Sequence, residues 1–379
     1  MSIALDNFVN VSITRRDFTA LETPTYDTVV YCAPTTVTNS GYVTSAGSAQ
    51  PDGTRAKPYN VSAFTGSSAT AADTAFAKWA TVFFTNGGNY IHVVTGLSLG
   101  DLRLVDGTTI NILRYTDKNH QTAADLPITE IMIVDGGNQD AFNGSLANAT
   151  KLVGQHEKIF VQKTTASGAA ATQVEGYVTV YNNSTAYLAS YYTKLRLTTA
   201  DSIRDYAFTT VINSGSDPIA DTDNNTLTTA LSNHHNVISY LAGGYRALGG
   251  DDVLGNDITN LFMRIVLQQT LSTSLINLLT TKIRLDTRGI TSVKSVIAAE
   301  LNRYIANGYI SIDKVWQEED LYIDGDLIAT KGMPLPGGYA IHVSPITQTN
   351  IANHQIPQIY VLYGDQVGVR KIVFTGEVF

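Results

Sequence analysis

Ile128-Thr-Glu-Ile-Met-Ile-Val134 runs into Asp135-Gly136-Gly137, and a second apolar run follows at Lys158–Gln162. Both runs are short, rich in Ile, Val and Phe, and bounded by turn or polar residues, as buried strands are. The residues between them, roughly 140–155, read as helix. Strand, helix and strand at this spacing make a parallel crossover unit. The chain is therefore expected to be α/β, mixed α+β in its overall composition of elements.

Towards the amino terminus the same alternation continues. Ala72, Phe76, Trp79, Val82 and Phe83 recur at helical spacing, and Asn86-Gly87-Gly88 supplies residues that tolerate a left-handed cap. Tyr90–Thr95 then reads as a buried strand. Leu102–Leu113 carries Asp106-Gly107, a hairpin turn pair between two strand-like runs, so a small β insertion is expected over about 96–125. Further out, Thr28–Cys32 is a strand, and residues 33–70, rich in Thr, Ser, Gly and Pro, read as loops. At the start, Val9, Val11 and Ile13 alternate with Asn10, Ser12 and Thr14, the period of a half-buried strand.

Towards the carboxyl terminus, helical material is expected from Tyr187 to Val211, with loops at 213–226 and 242–257. Ile258–Leu279 is a long helix. A basic connector leads to a second helix on which Val293, Val296, Ile297, Leu301, Tyr304 and Ile305 form one stripe before Asn307-Gly308. Strands are expected at 309–313, 320–330 and 338–344. The end reads as a hairpin: Ile359–Tyr363, a turn at 364–366, and Val369–Val378. No repeat of solenoid period is present.

Composition narrows the function classes. Of 379 residues, 44% are hydrophobic, but only 15% are charged, against roughly 25% in typical soluble domains. Thr, Asn, Ser, Ala and Gly fill the gap, which suits surfaces packed against copies of the same chain. A net charge of −8 argues against nucleic acid as a partner, since that needs a basic footprint. Cys32 is the sole cysteine, so no intrachain disulfide forms, and its apolar neighbours make a buried small side chain the expectation. No secretory signal opens the sequence, and no apolar run is long enough to span a membrane. Synthesis and assembly in a cytoplasm are expected.

The motifs that could carry chemistry are each incomplete. Asp135-Gly136-Gly137 stands where α/β folds bind phosphate, but neither G-x-G-x-x-G nor a Walker sequence accompanies it. Asp221, Asp223 and Asn225 match the first three ligands of a calcium loop, yet Thr226 stands at its glycine position and Ser232 at its glutamate. His156-Glu157 lacks a second histidine. His234 and His235 are adjacent and diverge on either a helix or a strand. No catalytic residue, metal ligand or cofactor is expected. One charge feature stands out: between Leu261 and Ile305 six cations face two anions, a net of +4 inside an acidic chain.

Several of these segments, taken in order, resemble contractile tail sheath proteins of bacteriophages and related injection machines. The likeness lies in Phe8-Val9-Asn10-Val11-Ser12-Ile13 and the Thr28–Cys32 strand. It continues with Phe76–Phe84, Asn86-Gly87-Gly88 and Tyr90-Ile91-His92-Val93-Val94. In the last third it covers Arg288-Gly289-Ile290, the helix at 293–306, Asn307-Gly308-Tyr309-Ile310, and Val369–Val378. The resemblance implies a body with a core discontinuous between its amino- and carboxyl-terminal parts, an outer insertion and extended terminal strands. It divides the chain into an interlocking arm at 1–20, a body at 21–235, a helix-plus-sheet domain at 236–366 facing the tube, and a second interlocking strand at 367–379.

The resemblance also implies partners: copies of the chain in hexameric, helically stacked rings, a tail tube protein, and baseplate and tail terminator proteins, with neither nucleic acid nor membrane insertion. The particle so implied is a virion. Val9, Val11 and Ile13 would form one inter-subunit strand, and Val369, Lys371, Ile372, Val373 and Phe374 the other. Lys282, Arg284, Arg288, Lys294 and Arg303 would face the tube. Two other readings remain open at this point: a tail tube or capsid decoration protein, and an enzyme with a dispersed site.

Overall fold

The computed structural model describes residues 28–33, 37, 41–47, 56–95, 112–115, 131–134, 159–164, 168–169, 173, 175–181, 185–195, 205–212, 223–281 and 283–365. They fall into two compact units, divided between Phe262 and Met263. The fold is α/β.

The first unit is built on one ten-stranded sheet. Its strands are β1 (Thr28–Ala33), β2 (Gly41–Thr44), β3 (Lys57–Pro58), β4 (Tyr90–Thr95), β5 (Ile112–Tyr115), β6 (Ile131–Val134), β7 (Ile159–Thr164), β8 (Tyr177–Tyr181), β9 (His235–Leu241) and β10 (Gly244–Leu248). They lie in the order β10-β9-β8-β7-β6-β5-β1-β4-β2-β3. From β9 through β4 every neighbouring pair is parallel, and antiparallel pairs occur only outside that run, at β9–β10 and β2–β4.

The expected parallel strand pair is present, with Ile131 beside Ile159 and Val134 beside Gln162. The helical stretch expected between them, and Asp135-Gly136-Gly137, lie outside the described residues. Parallel strands are covered on both faces and therefore read as continuous apolar runs. β8 shows this directly, since Tyr177, Val178, Thr179 and Val180 are all buried. β5 departs from the sequence expectation. Ile112–Tyr115 was the end of the expected hairpin, yet it is a central strand with parallel neighbours on both sides. Asp106-Gly107 itself lies outside the described residues.

Four helices among the described residues lie wholly in this unit: α1 (Ser62–Thr65), α2 (Ala71–Thr85), α3 (Thr185–Lys194) and α4 (Asn224–Ser232). α2 opens with a reciprocal cap, Thr70 Oγ1 accepting from the Asp73 amide while the Asp73 carboxylate accepts from the Thr70 amide. It ends as its sequence indicates, with Gly88 N–H bonded to the Phe83 carbonyl and Gly87 at φ +87°. Tyr31, Phe64, Phe76, Trp79 and Phe83 form an aromatic core between α2 and the sheet.

α3 is buried on every side from Thr185 to Thr193 and packs on α2, β1, β6 and β7. Its hydroxyls turn back on the helix, Ser190 to the Tyr187 carbonyl and Thr193 to the Ser190 carbonyl, so that few polar groups face the core unpaired. The expected helix to Val211 therefore stops at Lys194. Residues 208–211 instead lie along β10, where Phe208 and Val211 donate to Ala247 and Tyr245. β-Branched Thr209, Thr210 and Val211 suit that extended path.

The second unit takes most of α5 (Ile258–Leu279), then α6 (Thr287–Ala306), the hairpin β11 (Leu321–Ile323) and β12 (Asp326–Ala329), the pair β13 (Tyr339–Val343) and β14 (Ile359–Tyr363), and α7 (Gln348–Ala352). α6 starts two turns before the apolar stripe because Asp286 caps it, accepting from the Arg288 and Gly289 amides at 3.0 Å. Gly289, Val293, Ile297, Leu301 and Tyr304 form its buried face. The strand expected over 320–330 is a hairpin, turned by Asp324 and Gly325, both with positive φ. The run expected as a strand over 309–313 contributes only an isolated bridge, Ile310 to Asp365.

Candidate assembly surfaces

Sheet edges decide where another chain can add a strand. In the ten-stranded sheet both edges are blunted. One ends in β3, two residues long and containing Pro58. The other, β10, is covered by residues 208–211, with Thr210 bridged to Arg246.

The small sheet of the second unit is different. β13 and β14 pair only with each other among the described residues. β14 reads Ile359-Tyr-Val-Leu-Tyr363, and all five side chains are half-buried. An isolated two-stranded sheet is marginal in water, and an apolar edge strand is an invitation to further pairing. Tyr309 and Tyr363 meet ring to ring at 5.9 Å and support β14 from α6's carboxyl end. Val9, Val11 and Ile13, and Val369, Lys371, Ile372, Val373 and Phe374, lie outside the described residues, as does Lys282.

The other predicted cations are placed by α6. Arg284 precedes the helix with its side chain 74% exposed, 3.3 Å from Asp286. Arg288 is exposed and Lys294 half-buried. Lys294 and Arg303 are about two and a half turns apart and so project from opposite sides. Arg303 is paired with Glu300 at 2.7 Å and stacks on Tyr304. The exposed positive charge is thus concentrated at the amino end of α6. Hydrogen bonds donated by the Gly289 and Arg288 amides, with Arg284 beside it, hold the Asp286 carboxyl below the usual carboxylate range.

Among the described residues, polar groups that might have signalled catalysis are engaged structurally; His156 and Glu157 lie outside the described residues. His235 is buried on β9; its Nε2 donates to the Gly168 carbonyl at 2.7 Å and its Nδ1 accepts from Thr179 Oγ1 at 2.6 Å. Burial pushes its pKa down, so the ring is neutral and both nitrogens are occupied. The neighbouring Asn236 side chain binds the Thr179 and Asp251 carbonyls and the Gly250 amide. Asp252, fully buried, accepts from the Gly176, Leu254 and Asn256 amides. Together these pin residues 249–257 against β8 and β9. Asp223 of the calcium-like run caps α4 through the Thr226 amide; Asp221 lies outside the described residues. Among the described residues no cluster of three His, Cys, Asp or Glu side chains could hold a metal ion, and no helix is long and apolar enough to cross a membrane.

The sequence missed the β11–β12 hairpin as a surface. Asp324-Gly325 is the turn pair that would have shown it. The hairpin leans on β13 through His342, whose Nε2 is 2.9 Å from Asp324 and whose Nδ1 is 3.6 Å from Asp326. Hydrogen bonds from Ser344 and His342 keep the Asp324 carboxyl below its ordinary range.

No family model matches the sequence, and no curated protein does. Solved structures do match in fold. A chain of the anti-feeding prophage (AFP) baseplate, 6-fold symmetrised, aligns with a TM-score of 0.61 at 12% identity, over 95% of each chain. The AFP helical sheath in its contracted state aligns at 0.54 and 15% identity, over 94% of this chain and 93% of that one. The sheath complex of an extracellular contractile injection system, PVC, in its contracted state aligns at 0.57 and 12%, over 96% and 95%. The chain shares the fold of contractile injection system structures over nearly its whole length.

Proposed function

We propose that this chain is a structural subunit of a contractile sheath, in a phage tail or a related injection particle, and not an enzyme. The observation that carries the reading is the β13–β14 sheet, without a further strand among the described residues, in a chain whose larger sheet has both described edges blunted, on a fold shared with sheath structures over nearly the whole chain. Copies stack as hexameric rings wound helically around a tail tube, between a baseplate and a terminator. The arms at 1–20 and 367–379 reach neighbouring copies, and the β13–β14 sheet receives them. Each main-chain bond formed this way contributes only about 0.5–1.5 kcal/mol, but the lattice repeats it many times. The division into arm, body at 21–235, inner domain at 236–366 and terminal strand belongs to the same reading. Contraction then draws on packing energy stored in the extended lattice, with no nucleotide consumed.

Deletion of Met1–Thr14 tests this. The truncated protein should keep the circular dichroism and thermal melt of the full chain and should fail to form cylinders under negative stain. Normal cylinders from the truncated chain would remove the arm from the mechanism; a full-length chain that stays monomeric at high concentration would remove the sheath reading itself. The baseplate match, with the highest of the three TM-scores, favours a second placement as a single ring at the baseplate end. Short stacked rings instead of long cylinders are its signature.

A further inference from the structure

The second unit is electrically bipolar. Between Ile283 and Lys294, at the amino end of α6, the cations Arg284, Arg288 and Lys294 stand against Asp286 alone. Between Asp313 and Lys331, around the β11–β12 hairpin, the acids Asp313, Glu318, Glu319, Asp320, Asp324 and Asp326 face Lys314 and Lys331, a net of −4. Residues 317–320 are all exposed. Within this acidic lobe lies an apolar centre. Tyr322 and Leu327 are cross-strand partners on one face of the hairpin, 60% and 50% exposed. A two-stranded hairpin is marginal alone, and an outward Tyr–Leu pair ringed by charge has the anatomy of an interface core with its rim.

The two poles do not satisfy each other within the unit. The hairpin leans on β13, and Tyr339 of β13 bonds to Asn302 near the carboxyl end of α6. Arg288 is fourteen residues back along that helix, about 21 Å away. At the basic pole α5 ends in the exposed Leu279, five residues before Arg284 in the chain, and the α6 macrodipole adds positive potential to the side chains. Charge, apolar centre and polarity thus match between poles that sit too far apart to meet.

We infer that the acidic β11–β12 hairpin of one copy docks on the basic α5–α6 corner of a second copy, so that the chain associates head to tail through its second unit. This rests on the assembly reading above and adds to it a contact between folded units that is separate from the arms. A contact between two different patches of one chain is heterologous, and it generates rings or open helices rather than closed pairs. Complementary charge also sets the register with which copies meet.

The test is a charge swap in the full chain, read by sedimentation and negative-stain microscopy across a salt series. Glu318→Lys with Glu319→Lys inverts the acidic pole, and Arg284→Glu with Arg288→Glu inverts the basic one. Each inverted chain should need about a tenfold higher concentration to assemble, and the chain carrying all four changes should recover most of that loss. Thermal melts of all three confirm that the units remain folded. A Tyr322→Ser chain, with every charge intact, should lose assembly without gaining salt sensitivity. If the single-pole variants assemble normally while the wild type forms cylinders, the pole-to-pole contact is wrong and the sheath reading stands. If both fail and the fourfold chain is no better, the poles do not face each other. If the basic-pole variant self-assembles normally but no longer co-assembles with a tail tube, that corner belongs to the tube. A wild-type chain that never associates removes both readings at once.

Discussion

Two tyrosines of the first unit sit in one aromatic cluster and differ in a single respect. Tyr187 donates its hydroxyl to Thr209 at 2.7 Å, while the Tyr206 hydroxyl, equally buried, finds no hydrogen-bond partner among the described residues. Burial pushes the Tyr187 pKa up to about 12 and that of Tyr206 well above its ordinary value, so both rings are neutral at any physiological pH. Removing an unpaired buried hydroxyl relieves a desolvation cost, and removing a paired one strands its acceptor. Tyr206→Phe should therefore stabilise the protein by about 1 kcal/mol and Tyr187→Phe should destabilise it by about as much. Thermal melts of the two variants read the contrast, and equal shifts of the same sign would contradict it. At this scale the sequence was a partial guide. The rejections of calcium and of a histidine pair rested on spacing, and the structure shows Asp223 and His235 engaged in a cap and a buried network. The network of Asn236 and Asp252 was illegible, because it joins residues whose proximity comes from β8 and β9 lying side by side.

Among the elements, those with their own stop signals were the most legible. α2 and α5 run where periodicity and Asn86-Gly87-Gly88 placed them, since helix ends are set locally by caps. Gly88 shows how tightly such an end is built, for a Cβ there would fall on the ring of Phe83, which is fully buried and stacked on Trp79. Gly88→Ala should destabilise the first unit by about 1–3 kcal/mol, the usual penalty of overpacking. A guanidinium melt should register this, and a neutral result would mean that the ring has room to turn. The elements misread were those defined by tertiary partners. Ile112–Tyr115 looked like half of a local hairpin, but both its neighbours are parallel: β6, the next strand along, and β1, from far earlier in the chain. Residues 208–211 looked helical and are held extended by the edge of β10. Asp324-Gly325 was a local signal of the kind weighed at Asp106-Gly107, and it went unused inside a run that otherwise read as one strand.

For the molecule as a whole, the crossover expected at Ile131–Val134 and Ile159–Thr164 sufficed for the α/β class, and the boundary between units was hidden because it falls inside the continuous helix α5. Periodicity does not change at that point, so nothing in the residues marks it. The central position of β1 has a consequence in time. Val29 pairs with Ile91 on one side and Ile112 on the other, so the first strand among the described residues is completed only after more than eighty further residues have been joined. At about 5–20 residues per second that is a wait of several seconds on the ribosome. During it the apolar stretch Val29–Ala33 has no second neighbour, and long-range parallel pairing is slow even once the partners exist. Nascent chains halted before Ile112 emerges should leave β1 open to protease, and chains halted after β6 should protect it; equal protection in both would mean that the β1–β4 pair closes alone. On the assembly proposed above, a chain made in many copies therefore passes through its most adhesive moment before it has a fold to present.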